Sequence, residues 1–208
     1  MMTTVKNWIK PTFWLFKSVV SKFKISNFLK KEQEIFLELG AGNKKGQGGW
    51  LTIDMNRNCD IFWDLRRGIP FPDESIAKIY SSHFFEHLTF QEGQVFLDEC
   101  LRVLKPGGIF SICVPNAKIY IEAYLNPDLD LDKTQFFTHK LAYNNTTKID
   151  YINYTAYMDG NHKYMFDEEN LIYILQAKGL KNVHLRPFDP SLDRQERHFE
   201  SIYAEAHK

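Results

Sequence analysis

A short glycine-containing segment carries the clearest sign of ligand-binding chemistry in this sequence. It reads Glu38-Leu-Gly-Ala-Gly42 and follows an apolar run that is typical of a buried strand. Glycine allows the backbone to adopt positive φ angles and to approach a ligand closely. Because ligands of parallel α/β sheets bind where the strands end, we predict that Gly40 and Gly42 form a ligand-binding turn.

Two acidic residues end the next two predicted strands. Asp54 lies 14 residues after Gly40, and a carboxylate at that position can accept hydrogen bonds from both hydroxyls of a ribose. Asp64 ends the following run, where its carboxylate can accept a hydrogen bond from the amino group of adenine. The alternative for Asp64 is a cap on a strand-end turn, and the alternative for the whole set is a tight turn that binds nothing.

The elements that must position these residues alternate along the chain. Apolar runs predict strands at 34–39, 50–54, 60–64, 75–82, 109–114, 181–187 and 198–206. Helical periodicity and capping residues predict helices at 89–104, 117–125 and 167–178. This order predicts an α/β fold with a Rossmann-like, doubly wound, mostly parallel seven-stranded sheet and an antiparallel C-terminal strand.

The first crossover of this sheet is unusually short. Only the 11 residues 40–50 connect the first strand to the second, which is the lower limit for a connection between parallel strands. We therefore predict that the first crossover helix is shortened or missing and that one face of the sheet lacks cover. We hypothesise that a helix near the N-terminus covers that face.

The charge of the chain is balanced overall but unevenly distributed. The 26 basic and 26 acidic residues cancel, so the basic excess of a dedicated nucleic-acid binder is absent. Residues 1–31 contain seven lysines and no acid. Since no apolar run in this segment is long enough to span a membrane, it predicts a basic amphipathic helix at about 12–30. Packing of residues 1–33 on the core and peripheral contact of residues 5–30 with a membrane surface are both open interpretations.

The region between the fifth strand and the last helix differs from the rest. Residues 120–165 are rich in Tyr, Asn, Asp and Thr and show weak periodicity, so we predict a lid or insertion within a domain that spans 34–208. His162 lies near the end of this insertion and could serve as a base; the alternative is a turn that leads into the next helix. The odd set Cys59, Cys100 and Cys113 has no CxxC pairing, which predicts buried free thiols and a reducing cytosol.

The order of these motifs resembles that of a known family. The segments ELGAG, IDM, WDL, PFPDESIAKIYSSHFFEHL and LRVLKPGG resemble the class I S-adenosylmethionine-dependent methyltransferases, and in particular the methyltransferase type 11 group, over about residues 34–115. The segment HKYMFDEENLIYILQAKGL resembles the penultimate helix of that group. The resemblance implies an S-adenosylmethionine-dependent methyltransferase that releases S-adenosylhomocysteine.

The resemblance also implies which residues bind the cofactor. The matching positions follow the first four strands and are Glu38, Gly40, Ala41, Gly42, Asp54, Met55, Asp64, Leu65, Ser82 and His83. Among them, the glycine turn would surround the methionine part, Asp54 would hold the ribose, and Asp64 with Leu65 would frame the adenine. His87 would lie near the transferred methyl group. The third glycine of the longer family pattern is replaced by Lys44, so contacts beyond Gly42 are not implied.

Transfer of a methyl group to a hydroxyl requires that the hydroxyl lose its proton. Histidine is the usual base because its pKa lies near neutrality, and His87 and His162 are the candidates. The neighbours His83, Glu86 and His87 suggest a metal site, but three ligands this close in sequence rarely converge, so we predict no metal.

The absence of one sequence motif and the family resemblance together indicate the type of methyl acceptor. DNA amino-methyltransferases carry a D/N-P-P-Y/F motif where this chain reads Ser81-Ser-His-Phe84, and the chain has no net charge, so a nucleic-acid partner is not expected. We predict a small-molecule or glycan acceptor, with O-methylation of a sugar or surface-glycan precursor as implied by the resemblance. The alternatives are a non-catalytic, methyltransferase-like module that serves a partner, and an RNA methyltransferase.

Overall fold

The computed structural model describes residues 11–31, 34–127 and 147–208. Its strands are β1 (Phe36–Leu39), β2 (Trp50–Asp54), β3 (Ile61–Phe62), β4 (Ile76–Ser82), β5 (Leu104–Pro115), β6 (Lys181–Leu185) and β7 (Ser201–His207). Its helices are α1 (Pro11–Lys31), α2 (Phe90–Val103), α3 (Ala117–Leu125), α4 (Lys148–Tyr157) and α5 (Glu168–Ala177).

The seven strands form one sheet in the order β3-β2-β1-β4-β5-β7-β6. The first five strands are parallel to one another, whereas β7 lies antiparallel between β5 and β6. This arrangement confirms the predicted Rossmann-like fold with an antiparallel C-terminal strand. The strand order reverses between β1 and β4, and such a switch point opens a crevice for ligands at the carboxyl ends of the strands.

Local sequence signals define the helices that flank the sheet. Thr89 caps α2 through a capping box with Glu92, in which each side chain accepts a hydrogen bond from the other residue's backbone amide. Asp167 caps α5 by accepting from the amide of Asn170, as predicted from the sequence. The apolar faces of both helices pack into the main core, with Phe96, Leu97, Cys100, Leu171 and Leu175 almost fully buried.

Two strand boundaries differ from the prediction by more than two residues. β5 begins at Leu104 instead of residue 109, because Leu104 already pairs with Ile76 of β4 across a register shift. β7 begins at Ser201 instead of residue 198, because Gln195–Glu200 forms a 3₁₀ turn. The first boundary is set by a contact with a distant strand and the second by a local turn, and neither is marked by the apolar pattern of the sequence.

No helix forms between β1 and β2, as predicted from the short connection. One carboxylate holds this connection in place: Oδ2 of Asp60 accepts hydrogen bonds from the amides of Gly46 and Thr52 and from the Thr52 hydroxyl, at 2.9, 3.1 and 2.9 Å. A Cβ on Gly46 would lie 1.9 Å from the carbonyl oxygen of Trp50, so the loop packs too closely for a side chain there. The glycine-rich loop thus crosses directly between the strands.

The sheet face next to this loop is covered differently from our hypothesis. Its residues Tyr80, Cys113 and Tyr203 pack with Trp50 and with Phe188 and Leu192, which lie in the loop between β6 and β7. The described side chains of α1 instead contact the β3 edge and the main core, in which Ile25 is buried. Ser21 donates to the carbonyl of Phe62 at 3.0 Å, and Lys24 donates to that of Asp60 at 2.7 Å. Among the described side chains, the β6–β7 loop therefore covers this face where α1 was expected to do so.

The three cysteines are free and buried, as predicted. Within the described residues, no helix combines the length and the hydropathy that crossing a bilayer requires. The division of the chain into residues 1–33 and 34–208 stays a prediction, and residues 128–146 of the predicted lid lie outside the described residues.

Candidate functional site

The glycine turn follows β1 at the centre of the sheet. Gly40 and Gly42 have φ angles of 73° and 64°, in the left-handed region that glycine adopts without strain. A Cβ on Gly40 would lie 2.2 Å from the ring of Phe84, whereas a Cβ on Gly42 would meet nothing within 4 Å. Gly40 is therefore needed for packing against the segment after β4, and Gly42 leaves its surroundings open for a ligand.

We expect Gly40→Ala to disrupt the site by displacing Phe84. The new methyl group would overlap the aromatic ring, and the positive φ angle would add strain, so the protein should lose about 2–4 kcal/mol of unfolding free energy. The measurement is urea unfolding followed by circular dichroism. Gly42→Ala, which has a similar φ angle but no overlap, is the matched control. Equal losses for the two variants would contradict the proposed contact.

Asp54 joins the end of β2 to this turn. Its Oδ2 accepts from the amide of Gly42 and its Oδ1 from the amide of Asn56, each at 2.9 Å. Burial raises the pKa of Asp54, and the amide hydrogen bonds oppose that change. The carboxylate is thus held at the carboxyl edge of the sheet, and each oxygen retains a second lone pair for a ligand hydroxyl.

Asp64 caps a turn, which was the alternative to its predicted contact with adenine. It caps the 3₁₀ turn Leu65–Arg67, and Arg66 donates to its two carboxylate oxygens at 2.9 and 3.0 Å. Burial alone would raise the pKa of Asp64, but the hydrogen bonds and charges of Arg66 and Arg67 lower it. The side chain of Leu65 is buried in the core, whereas Met55 is 40% exposed with its sulfur 3.9 Å from Arg66 Nη2.

Glu38 forms an ion pair that the sequence did not indicate. Its Oε1 lies 2.6 Å from Nζ of Lys44, the residue that replaces the third glycine of the family pattern. Both side chains line a cavity of about 380 Å³ beside Trp50 and Tyr80, next to the loop that covers this face. This cavity does not share lining residues with the one that contains the predicted histidines.

The chain turns sharply after β4. Ser82 ends the strand, and His83 adopts a positive φ angle of 49°. The His83 amide donates to the carbonyl of Cys113, and its Nε2 lies 2.8 Å from Oγ of Ser201. Burial, with further contributions from nearby positive charges, holds the pKa of His83 well below its usual value. His83 therefore ties β4 to β5 and β7, and one edge of its ring lines a cavity.

That cavity has a volume of about 410 Å³ and lies at the carboxyl ends of β4 and β5. It is lined by His83, Glu86, His87, Pro115, Tyr120, Tyr154, Thr155, Met158, His162, Glu196, Arg197 and Glu200. The part of the predicted lid that the structure describes contributes several of these residues. The walls combine aromatic rings with charged and polar groups, which suits a polar ligand of small size.

Glu86 is the most unusual residue of this cavity. It is 2% exposed, and within the described part of the chain neither of its carboxylate oxygens has a hydrogen-bond partner. Its main-chain carbonyl, in contrast, accepts from the amides of Lys163 and Tyr164 and so fixes the return of the chain to α5. Burial raises the pKa of Glu86 to about 8.

The structure brings the two predicted catalytic histidines together. The rings of His87 and His162 lie 4.9 Å apart in an edge-on arrangement. Nδ1 of His87 lies 3.0 Å from the carbonyl of Asn161, and Nδ1 of His162 lies 2.8 Å from that of Thr155. Because a carbonyl oxygen can only accept, each Nδ1 carries a proton, and in the neutral form of the ring the lone pair then lies on Nε2. Burial lowers the pKa of His162, although the Thr155 hydrogen bond opposes this.

Some residues of the cavity had no signal in the sequence. Tyr120 donates to Glu200 at 2.5 Å and packs with Tyr151 and Tyr154 between α3 and α4. Arg197 and Glu200 come from the 3₁₀ turn that we had predicted in part as strand. A turn before the last strand has no periodicity that would point to a ligand site. Of the lining residues, the sequence had indicated His83, Glu86, His87 and His162.

Comparison with known proteins supports the family resemblance. Residues 58–112 match the model of a family described as Methyltransferase domain. A probable S-adenosylmethionine-dependent methyltransferase of Mycolicibacterium smegmatis is 34% identical over 82 residues, which cover 38% of this chain and 29% of that protein. The chain thus spans less than a third of the length of this curated relative.

Solved structures share the fold. A SAM-dependent methyltransferase from Archaeoglobus fulgidus superposes with a TM-score of 0.52 at 16% identity, covering 94% of this chain and 99% of that one. Phosphoethanolamine N-methyltransferase 2 of Haemonchus contortus, solved in complex with S-adenosyl-L-methionine, gives a TM-score of 0.50 at 11% identity over 91% of this chain and 52% of that one. At such identities these structures establish the fold alone. Together with the family match over residues 58–112 and the curated relative, they support the similarity of this chain to the class I S-adenosylmethionine-dependent methyltransferases, whose cofactor is S-adenosylmethionine.

Proposed function

We propose that this protein transfers a methyl group from S-adenosylmethionine to a hydroxyl of a small polar acceptor, such as a sugar or surface-glycan precursor. The observation that carries the proposal is the contact between the cofactor turn and the acceptor cavity. Phe84 packs on Gly40, and its neighbours His83, Glu86 and His87 line the cavity. The two predicted half-sites are therefore continuous through one short segment.

The residues around the glycine turn fit the cofactor. Gly42 has open space around its Cα, Asp54 is held in place by two amides, and Met55 exposes its thioether. S-adenosylmethionine contains no phosphate, so it does not need the helix N-terminus that the β1–β2 connection lacks. When bound, it supplies a methyl group on a sulfonium centre.

In this proposal, residues that follow successive strands at the sheet edge contact successive parts of the cofactor. The glycine turn with Ala41 would lie against the methionine part, and Asp54 would accept from the ribose hydroxyls. Met55 would pack on the adenine. Asp64 and Leu65 would support that position through the turn they form, and Ser82 and His83 would close the site beside β4.

The proposed acceptor hydroxyl lies near the two imidazoles. As its oxygen bonds to the methyl carbon, its proton must leave, and the Nε2 lone pairs of His87 and His162 are available for it. His87 is 37% exposed in its side chain, so it is the more accessible of the two. The cavity volume of about 410 Å³ lies in the range of small-molecule sites, and its Tyr, Glu and Arg side chains offer partners for several hydroxyl groups.

The test is methyl transfer from isotopically labelled S-adenosylmethionine by the full chain. Monosaccharides, sugar nucleotides, amines and RNA are offered as acceptors, and products are analysed by mass spectrometry. We expect the wild-type chain to form labelled methyl ethers of a sugar acceptor. The His87→Ala variant should lose this activity. The His184→Ala variant, which changes an exposed histidine of β6, should keep it. Transfer to an amine or to RNA would contradict the proposal, and cofactor binding without turnover would favour the non-catalytic module.

We further propose that residues 5–30 make peripheral contact with an anionic membrane surface. The described part of α1 exposes the apolar side chains of Val19 and Phe23, 60% and 70% accessible, beside exposed Lys22, Lys24 and Lys30. We expect the protein to co-sediment with vesicles that contain anionic lipid and Phe23→Ser to reduce the bound fraction several-fold. Equal binding of both proteins would contradict this contact.

A further inference from the structure

We infer that Glu86, His87 and His162 form a binding site for a divalent transition cation such as Zn²⁺ at the inner end of the acceptor cavity. Each residue offers one ligand atom, and these three atoms lie within 4.8 Å of one another. Two imidazole nitrogens and one carboxylate oxygen, with a further position open to solvent, are a donor set of catalytic zinc sites.

The carboxylate of Glu86 is the first reason for a cation. Both of its oxygens are buried and lack a hydrogen-bond partner among the residues that the structure describes. Nδ1 of His83 and Nε2 of His87 lie 3.6 and 3.9 Å from Oε1, too far for hydrogen bonds. Burying a carboxylate without partners is costly, and a cation coordinated by this oxygen would remove that cost.

The orientation of the two imidazoles is the second reason. His87 and His162 each direct Nδ1 to a backbone carbonyl, Asn161 for one and Thr155 for the other. Metal-binding histidines almost always donate their second ring nitrogen in this way, which fixes the ring and leaves the ligating nitrogen unprotonated. Two histidines that are far apart in sequence share this arrangement and face the same carboxylate.

The donor types select the class of cation. Nitrogen and oxygen ligands without sulfur suit Zn²⁺ and similar first-row ions, whereas Mg²⁺ and Ca²⁺ prefer oxygen ligands alone. With metal–ligand bonds of about 2.0–2.2 Å, tetrahedral ligands lie about 3.4 Å apart, so the three groups must draw together on binding. His87, which lies on the short 3₁₀ turn Phe85–His87 at the cavity wall, has the room to do so.

This site differs from the one that the sequence suggested and that we had set aside. The adjacent trio His83, Glu86 and His87 is not the group that converges: among the described residues, the ligand atoms that lie within 4.8 Å of one another belong to Glu86, His87 and His162. The third ligand is instead His162, brought in by the hydrogen bonds between the Glu86 carbonyl and the amides of Lys163 and Tyr164. Sequence spacing could not reveal that convergence.

The identity of the ligand in the open position of the cation site is inferred from the proposed function. We assign it to the acceptor hydroxyl, whose oxygen the cation would bind. A cation bound there would acidify the hydroxyl, whose proton would pass to water, and His87 and His162 would serve as ligands in place of the base role that the proposed function gives them. The oxygen bonds to the methyl carbon, the carbon–sulfur bond breaks, and its electron pair stays on sulfur.

The test measures the cation directly, without cofactor or acceptor. The full chain, freed of any purification tag and stripped with a chelator, is titrated with ZnCl₂ by calorimetry and with CoCl₂ by visible absorption. We expect a single saturable site and a cobalt spectrum typical of nitrogen and oxygen ligands. Glu86→Gln and His162→Gln should each weaken zinc binding by more than about 100-fold, beyond what outer-shell changes cause. His184→Ala should bind as the wild type does.

Two results would overturn the inference. One is a wild-type chain that shows no saturable cation binding; the other is zinc affinity that both glutamine variants retain. Circular dichroism of each variant, and the cobalt spectrum of the wild type, separate loss of ligands from loss of fold. A separate titration with S-adenosylmethionine tests the proposed function: its failure leaves the cation site standing, and active protein without a cation site overturns only the inference.

Discussion

Asp54→Ala is expected to weaken the binding of S-adenosylmethionine by at least about 100-fold. The wild-type carboxylate is held by the amides of Gly42 and Asn56 and offers its remaining lone pairs to the ribose. Each hydrogen bond to a charged group contributes about 1.5–3 kcal/mol, so losing two of them removes about 3 kcal/mol or more. Calorimetric titration of the purified chain with S-adenosylmethionine and S-adenosylhomocysteine measures the effect.

The control is a second carboxylate in the same region. Asp60 holds the connection between β1 and β2 through Gly46 and Thr52 but has no proposed contact with the cofactor. We expect Asp60→Asn to lower stability while it changes cofactor affinity far less than Asp54→Ala does. Wild-type affinity in Asp54→Ala would refute the proposed ribose contact, and equal losses in both variants would assign the effect to the loop.

The largest stability effect is expected at Asp193. Its side chain is fully buried and accepts two bonds from Arg186, at 2.7 and 2.8 Å, as well as one from the Tyr80 hydroxyl at 2.9 Å. Asp193→Ala leaves the guanidinium buried without its partner, so we expect a loss of about 3–5 kcal/mol of unfolding free energy. Urea unfolding of wild type and variant gives the value.

Two further variants make this prediction specific. Asp98→Ala removes an exposed ion pair with Lys178 and should cost less than about 1 kcal/mol. The double variant Arg186→Met, Asp193→Leu removes both buried charges and should recover much of the loss, because neither charge then remains unpaired. If Asp193→Ala costs no more than Asp98→Ala, this buried pair does not hold the β6–β7 loop on the sheet.

Much of the fold was predictable because its signals are local. Caps such as Thr89 and Asp167 lie within one helical turn of the amides they bind, and the glycine turn follows directly on its strand. The start of β5 was not predictable, because it depends on pairing between Leu104 and Ile76. The same holds for the cover of the sheet face by Phe188 and Leu192, since no periodicity marks a loop as part of a core.

The candidate site likewise contains residues that the sequence predicts and residues that it does not. The glycine turn and Asp54 were visible from spacing, and the structure places them in direct contact. For Asp64 the sequence allowed two readings, and Arg66, two residues later, favours the turn cap. The unpartnered carboxylate of Glu86 had no sequence signal. Its isolation results from burial by parts of the chain that are distant in sequence, which only the folded structure brings together.

The ends of the predicted lid have a consequence for how such a protein can diversify. The Lys148 ammonium donates to the carbonyl of Asn126, and Tyr120 of α3 packs with Tyr151 and Tyr154 of α4. These contacts therefore tie α3 to α4 on either side of the segment that separates them in sequence. When the two ends of a chain segment are already joined, the closure entropy rises by only about 0.6 kcal/mol for each doubling of its length. We therefore expect insertions between Asn126 and Lys148 to be tolerated while the cofactor half of the domain stays folded.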